Sequence, residues 1–219
     1  MIRAQFFDDK YFNEYIDDQN KRIEKFVSVQ NSSLCNEKKA EISGWIAKLY
    51  KDLISAEYSC GYSKKKITDT FIKYIENVVQ SKISSYNEYA DILALSVIFG
   101  VSETTKSIII EATEYDDDLT NMMKEYLQTG KFHDSNGSLN YPQQYEIFRY
   151  FLDEKIDTDE FAGYMNSKWY NSCKEFYFYD SHLSKEKVYT GYWSWIAAAV
   201  LKMKNVSNID SIYIPVEIL

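Results

Sequence analysis

The sequence predicts an all-α fold: a bundle of about eight or nine helices in two packed halves, with an extended C-terminal tail. Three observations lead there. Only 7 Gly and 2 Pro occur in 219 residues, too few for the hairpins of a turn-rich β fold. Apolar residues recur at three- and four-residue steps along most of the chain. The hydrophobic fraction is 45% and the aromatic fraction 16%, enough for a sizeable core, which excludes general disorder.

The first helix is predicted from near Asp9 to Val29, with Phe12, Ile16, Ile23 and Phe26 as its apolar stripe. Asp17, Asp18, Lys21, Arg22 and Glu24 fill the other side. Asn31-Ser32-Ser33 is a polar break. The second runs from about Glu37 to Tyr58, on Ile42, Trp45, Ile46, Leu49 and Leu53, with Gly61 placed for a left-handed cap. The third runs from Lys64 to Lys82, with Ile67, Phe71, Ile75, Val78 and Val79 facing in. Ser85 and Glu88 have capping-box spacing and open a fourth, Tyr86 to Phe99, apolar on nearly every side and therefore central. Gly100 stops it. Ser102 caps a short fifth helix holding Ile108-Ile109-Ile110, a triplet that also suits a strand.

Glu111–Asp118 is the expected seam, which divides the chain into 1–115 and 116–219. A helix on Leu119, Met122, Met123, Tyr126 and Leu127 ends at Gly130. Lys131–Pro142, with His133-Asp134-Ser135-Asn136-Gly137-Ser138, is the one loop with clear turn chemistry. Pro142 suits the first turn of the next helix, on Tyr145, Phe148, Phe151 and Leu152. Asp157 and Glu160 form the capping pair of another, on Phe161, Tyr164, Met165, Trp169 and Cys173. Thr190 is the expected cap of the last helix, Gly191 to Lys204. The tail Ile212-Tyr213-Ile214-Pro215-Val216 reads as extended, because proline disfavours helix before it.

Lys plus Arg number 25 and Asp plus Glu 33, a formal charge of −8. That balance argues against gripping nucleic acid through phosphates and suits a basic protein partner. No apolar run approaches the ~18–20 residues of a membrane span. Acids follow Met1-Ile2-Arg3-Ala4-Gln5-Phe6-Phe7 at once and no signal sequence develops, so a cytoplasmic protein is expected. Cys35, Cys60 and Cys173 are odd in number and widely spaced, which fits free thiols rather than a disulfide framework. His133 and His182 have no His or Cys at metal-ligand spacing.

Three acidic groupings stand out. The first is Glu111, Glu114, Asp116, Asp117 and Asp118; the second is Asp153, Glu154, Asp157, Asp159 and Glu160; the third is Asp8, Asp9, Asp17 and Asp18. Carboxylates at helix N-termini are stabilised by roughly 0.3–1 kcal/mol each, so capping and solvated faces account for many of them. The other reading is a negative surface that steers a basic partner. No Glu-x-x-His, calcium loop, phosphate loop or serine elbow occurs, so no catalytic or metal site is expected. The 20 Tyr and clusters such as Phe176-Tyr177-Phe178-Tyr179 suit packing with hydroxyls reaching solvent, or interface anchors. A helical adaptor for another basic partner and a small carboxylate-dependent hydrolase are the alternatives.

The most distinctive stretch is Tyr189-Thr190-Gly191-Tyr192-Trp193-Ser194-Trp195-Ile196-Ala197-Ala198-Ala199-Val200. It resembles the signature of the PoNi immunity family, in which Gly-Tyr-Trp-Ser leads into an Ala-rich helix. Tyr213-Ile214-Pro215 resembles that family's closing Tyr-x-Pro element, and Trp169-Tyr170 its Trp-Tyr pair. Arg3, Asp9-Lys10-Tyr11-Phe12, Tyr15-Ile16 and Tyr58-Ser59-Cys60-Gly61 are similar to the companion N-terminal region. Ile196 is a departure, standing where the family usually has Glu. The resemblance implies an all-α cytoplasmic antidote to a PoNe-type DNase toxin, of the kind delivered between competing bacteria. Such a protein blocks its toxin stoichiometrically, without turnover or cofactor and without direct contact to nucleic acid or membrane. The first or the second acidic grouping is then the candidate toxin-binding surface. Trp169, Tyr170, Gly191, Tyr192, Trp193, Ser194, Ala197, Ala198, Tyr213 and Pro215 are expected to be mainly structural.

Overall fold

The computed structural model describes residues 3–4, 7–33, 35–111, 114–133, 137–184 and 188–219. Among these, no strand occurs. The backbone resolves into two compact units, Met1–Ile83 with Tyr177–Gly191, and Ser84–Phe176 with Tyr192–Leu219.

The first unit is built on α1 (Asp9–Ser32), α2 (Asn36–Ser59) and α3 (Lys64–Val78), with α2 packed against both neighbours. Asp8 opens α1 by accepting from the Tyr11 N–H at 2.9 Å. Phe12, Ile16 and Ile23 are buried as the spacing requires, joined by Tyr15 and Gln19. On α2 the stripe holds for Ile42, Ile46, Leu49 and Leu53, but Trp45 is 41% exposed, lying against Phe26 with Lys38 over its ring. Gly61 closes α2 at φ 85°, while the Tyr62 N–H returns to the Glu57 carbonyl and the Gly61 N–H to Tyr58. That pair of bonds is a Schellman cap. α3 stops at Val78, one turn before the predicted Lys82, and Val79 becomes its half-buried cap.

One residue from the distant segment 177–191 locks this unit. Tyr189 is fully buried; its carbonyl accepts from the Tyr15 hydroxyl at 2.7 Å, and its own hydroxyl lies 2.7 Å from Ser59 Oγ. Its ring meets Phe12 edge-on at 5.1 Å. Arg3 donates to the Tyr58 and Tyr62 carbonyls and covers the Tyr58 ring.

The second unit is centred on α4 (Tyr86–Phe99), which is buried nearly all round. Ser85 caps it through the Glu88 N–H, but the Glu88 carboxylate reaches Ser84 rather than the Ser85 N–H, so the box is half formed. α5 (Glu103–Glu111) is helical, so the Ile108–Ile110 triplet is no strand; only Ile109 of the three is buried. α6 (Asp118–Thr129) ends on left-handed Gly130, and α7 (Pro142–Leu152) carries Pro142 in its first turn. Of the loop between them, Asp134, Ser135 and Asn136 lie outside the described residues. α8 (Thr158–Tyr164) continues through a π-helical stretch, Met165–Trp169, into the single turn α9 (Tyr170–Ser172).

The last helix, α10 (Trp195–Met203), starts four residues later than predicted. Ser194 is its cap, accepting from the Ala197 N–H, while Thr190 hydrogen-bonds Ser181 instead. Ala197, Ala198 and Ala199 are fully buried and bring α10 close onto α4. The Lys202 ammonium ties the two helices by donating to the Ile98 carbonyl. Past Pro215 the tail closes in a short 3-10 turn, Val216–Ile218.

Two expectations follow. Ser194→Ala should lower stability by about 1 kcal/mol, and Thr190→Ala should leave α10 capped; urea denaturation of both variants checks the assignment. The second concerns pH. Burial lifts the Asp52 and Glu57 carboxyls on α2 to about 7. A carboxyl raised in the fold favours the protonated native state, so the stability it supplies is complete at acid pH and is lost as pH rises through 7. The urea midpoint should therefore fall between pH 5 and pH 8, and Asp52→Asn with Glu57→Gln should flatten that slope. An equally steep slope in the double variant would show that other groups carry it.

Candidate functional site

The first acidic grouping is divided: Asp117 and Asp118 are buried, whereas Glu111, Glu114 and Asp116 are exposed. Asp117 is buried at the N-cap of α6. One carboxylate oxygen accepts from the Thr120 N–H at 2.9 Å; the other accepts from the Tyr86 hydroxyl at 2.6 Å and the Asn140 N–H at 3.0 Å. Burial first, and this carboxylate second, hold the Tyr86 hydroxyl firmly protonated. Asp118 is buried too, with its carboxylate 3.2 Å from an Arg149 guanidinium nitrogen that also donates to the Gly137 carbonyl. A Cβ at Gly137 would run into the Asp118 carboxylate. Asp116 is neutralised by Lys124 at 2.6 Å. Glu111 and Glu114 remain as exposed carboxylates.

The second grouping is different. Asp153 has a side chain only 3% exposed, paired with Lys155 at 2.8 Å. Glu154, Asp157, Asp159 and Glu160 are exposed. Asp157 and Glu160 form a reciprocal capping box that starts α8. Glu154, Asp157 and Glu160 line an open cleft of about 450 Å³ whose walls include Phe151, Ile156 and Val206. Lys155 and Lys204 also line it, and Lys204 meets Glu154 at 2.6 Å. That contact lowers the Glu154 carboxyl from its ordinary value.

Two helix ends meet at this cleft. α7 closes with the Lys155 N–H on the Tyr150 carbonyl and the Glu154 N–H on Phe151; α10 closes with the Val206 N–H on Leu201 and the Asn205 N–H on Lys202. Both are Schellman caps like that of α2. Here, however, the left-handed residues are Glu154 at φ 58° and Asn205 at φ 54°, not glycine. Sequence reasoning found the acids of this site but missed Lys204 and Val206. The usual signal, glycine after the helix, is missing at both ends.

The third grouping serves α1: Asp8 caps it and Asp17 pairs with Lys21 at 2.5 Å. Burial pushes the Cys173 thiol up to about 12. Among the described residues no three His, Cys, Asp or Glu side chains are arranged to hold a metal ion, and no helix is long and apolar enough to cross a membrane.

The aromatic motif residues converge within the second unit. Tyr170 stacks on Tyr213 at 5.3 Å, Trp169 lies 5.6 Å from the same ring, and Tyr192 meets it edge-on. The Ser194 N–H donates to the Tyr213 carbonyl at 2.7 Å, so the tail is tied directly to the α10 cap. Trp193 and Pro215 are buried, and Ile196 is 5% exposed. Gly191 takes φ 78°, a backbone region that disfavours any other residue.

Two family models match the chain, the PoNe immunity protein (PoNi) N-terminal model over residues 3–111 and the PoNi C-terminal model over residues 114–211. The chain belongs to the PoNi family. PoNi proteins are immunity proteins against PoNe toxins, an inhibitor family rather than an enzyme family. No curated protein and no solved structure gives a significant match. The PoNi models meet between residues 111 and 114, whereas the first compact unit draws Tyr189 from the C-terminal match and Arg3, Phe12, Tyr15 and Tyr58 from the N-terminal one.

The two acidic groupings of this PoNi protein should separate by mutation. Asp117→Ala strands several buried donors and should cost roughly 2–4 kcal/mol, whereas Asp159→Ala should stay within about 0.5 kcal/mol. Chemical denaturation of the two variants measures the difference.

Proposed function

We propose that this PoNi protein neutralises a cognate PoNe-type DNase by stoichiometric, high-affinity contact in the cytoplasm, and that the turn between α7 and α8 is its steering face. The family match supplies the partner class. The observation that carries the choice of face is the set of exposed carboxylates at Glu154, Asp157, Asp159 and Glu160, beside a first grouping whose Asp117 and Asp118 are buried and committed to the fold.

The physical argument starts from the substrate of the toxin. A DNase needs basic residues to hold phosphates. Those same residues are attracted by carboxylates on a rigid scaffold, and a net charge of −8 extends the attraction beyond contact range. Steering of this kind raises association rates by roughly 10- to 1,000-fold, and salt weakens it. Bound carboxylates then stand where phosphates would lie. The interaction needs complementary shape and charge, with no bond made or broken.

The test is a titration. Purified protein added to the cognate PoNe toxin should reduce DNA cleavage linearly to an end point at equimolar ratio, and the association rate should fall as salt rises. Full cleavage at a several-fold excess of the protein would overturn the proposal, as would a toxin-expressing cell that dies despite its co-expression.

A further inference from the structure

We infer that the cleft between the C-terminal ends of α7 and α10 receives one long basic side chain of the toxin. This inference rests on the proposed neutralisation by contact and specifies where the central contact forms.

The cleft has two kinds of wall. Phe151, Ile156 and Val206 give it an apolar part, and Glu154, Asp157 and Glu160 give it an acidic one. Lysine and arginine have the same division, a methylene stem and a charged head. A side chain laid into the cleft would bury its stem on carbon and keep its head among carboxylates. The cleft is open, which suits a side chain arriving on another protein.

The charge within the cleft favours a cation. Three carboxylates outnumber the two ammonium groups of Lys155 and Lys204. Lys155 is also paired with Asp153. The ends of α7 and α10 add the negative poles of two helices, each equivalent to roughly half an elementary charge. The positive pole of α8 faces the same cleft, but Asp157 and Glu160 cap it and take up its N–H groups. The Glu154 side chain lines the cleft and stays 81% exposed even while paired with Lys204.

Backbone conformation adds a reason to look at Glu154. It occupies the left-handed position of a Schellman cap, where glycine is the unstrained choice. α2 uses glycine at the same position, Gly61. Its carboxylate is thus obtained at a conformational cost that the helix end itself does not require.

That cost makes the test sharp. Glu154→Gly should keep or raise the thermal midpoint, because it relieves the left-handed residue. In surface plasmon resonance with the cognate PoNe toxin, rendered catalytically inactive, the same variant should dissociate about tenfold faster than the wild type. Asp157→Asn, which retains the α8 cap, should shift dissociation in the same direction, and Glu24→Gln on α1 should leave it unchanged. Loss of a remote steering charge alters association and its salt dependence, whereas loss of a partner to an inserted side chain alters dissociation. Wild-type dissociation rates in both cleft variants would overturn the inference and leave neutralisation standing. A wild-type protein that neither binds nor inhibits the toxin would instead overturn the functional proposal itself.

Discussion

Every helix end leaves backbone groups without helical partners, and much of this molecule is arranged by how those groups are satisfied. Asp8, Ser63, Ser85, Asp117, Asp157 and Ser194 each accept an N–H at a helix start. The residues at 61, 154 and 205 turn left-handed so that following N–H groups can return to the last carbonyls. This requirement decides which acids belong to the fold and which are available to a partner. Asp117 caps α6 from a buried position and takes further bonds from Tyr86 and Asn140, so its charge is consumed internally. Asp157 caps α8 from an exposed position, so the same chemistry leaves a charge at the surface.

The aromatic residues do comparable work in each unit. In the first, Tyr189 joins Tyr15, Ser59 and Phe12 through both its ring and its polar atoms. In the second, Tyr213 gathers Trp169, Tyr170 and Tyr192, and its carbonyl holds the residue that caps α10. The family motif is therefore read best as architecture. The rings and the Ser194 cap hold α10, the buried alanines let it lie close on α4, and the end of α10 supplies one wall of the acidic cleft.

Charge illustrates the limits of composition. A balance of −8 says that the surface is acidic but not where. The run at 116–118 looks in sequence like a dense anionic patch. Folded, it loses Asp117 to hydrogen bonds, Asp118 to Arg149 and Asp116 to Lys124. The group at 153–160 loses Asp153 to burial and pairs Glu154 with Lys204, but Glu154, Asp157, Asp159 and Glu160 all stay exposed.

The helical class, the all-round burial of α4 and most helix boundaries were legible in the sequence, because three- and four-residue apolar periodicity and capping residues act over a few neighbours. It also carried the family resemblance, in aromatic and glycine positions that the two matches cover, Tyr213 excepted. Local rules misjudged Trp45, which the stripe placed inside, and Thr190, which they took for the cap that Ser194 supplies. At the start of α10 the decision came from residues distant in the chain, since the Ser194 N–H meets the Tyr213 carbonyl. The cleft was beyond sequence for the same reason. Its walls come from the end of α7, the start of α8 and the end of α10, and a shared concave surface exists only once packing brings those ends together.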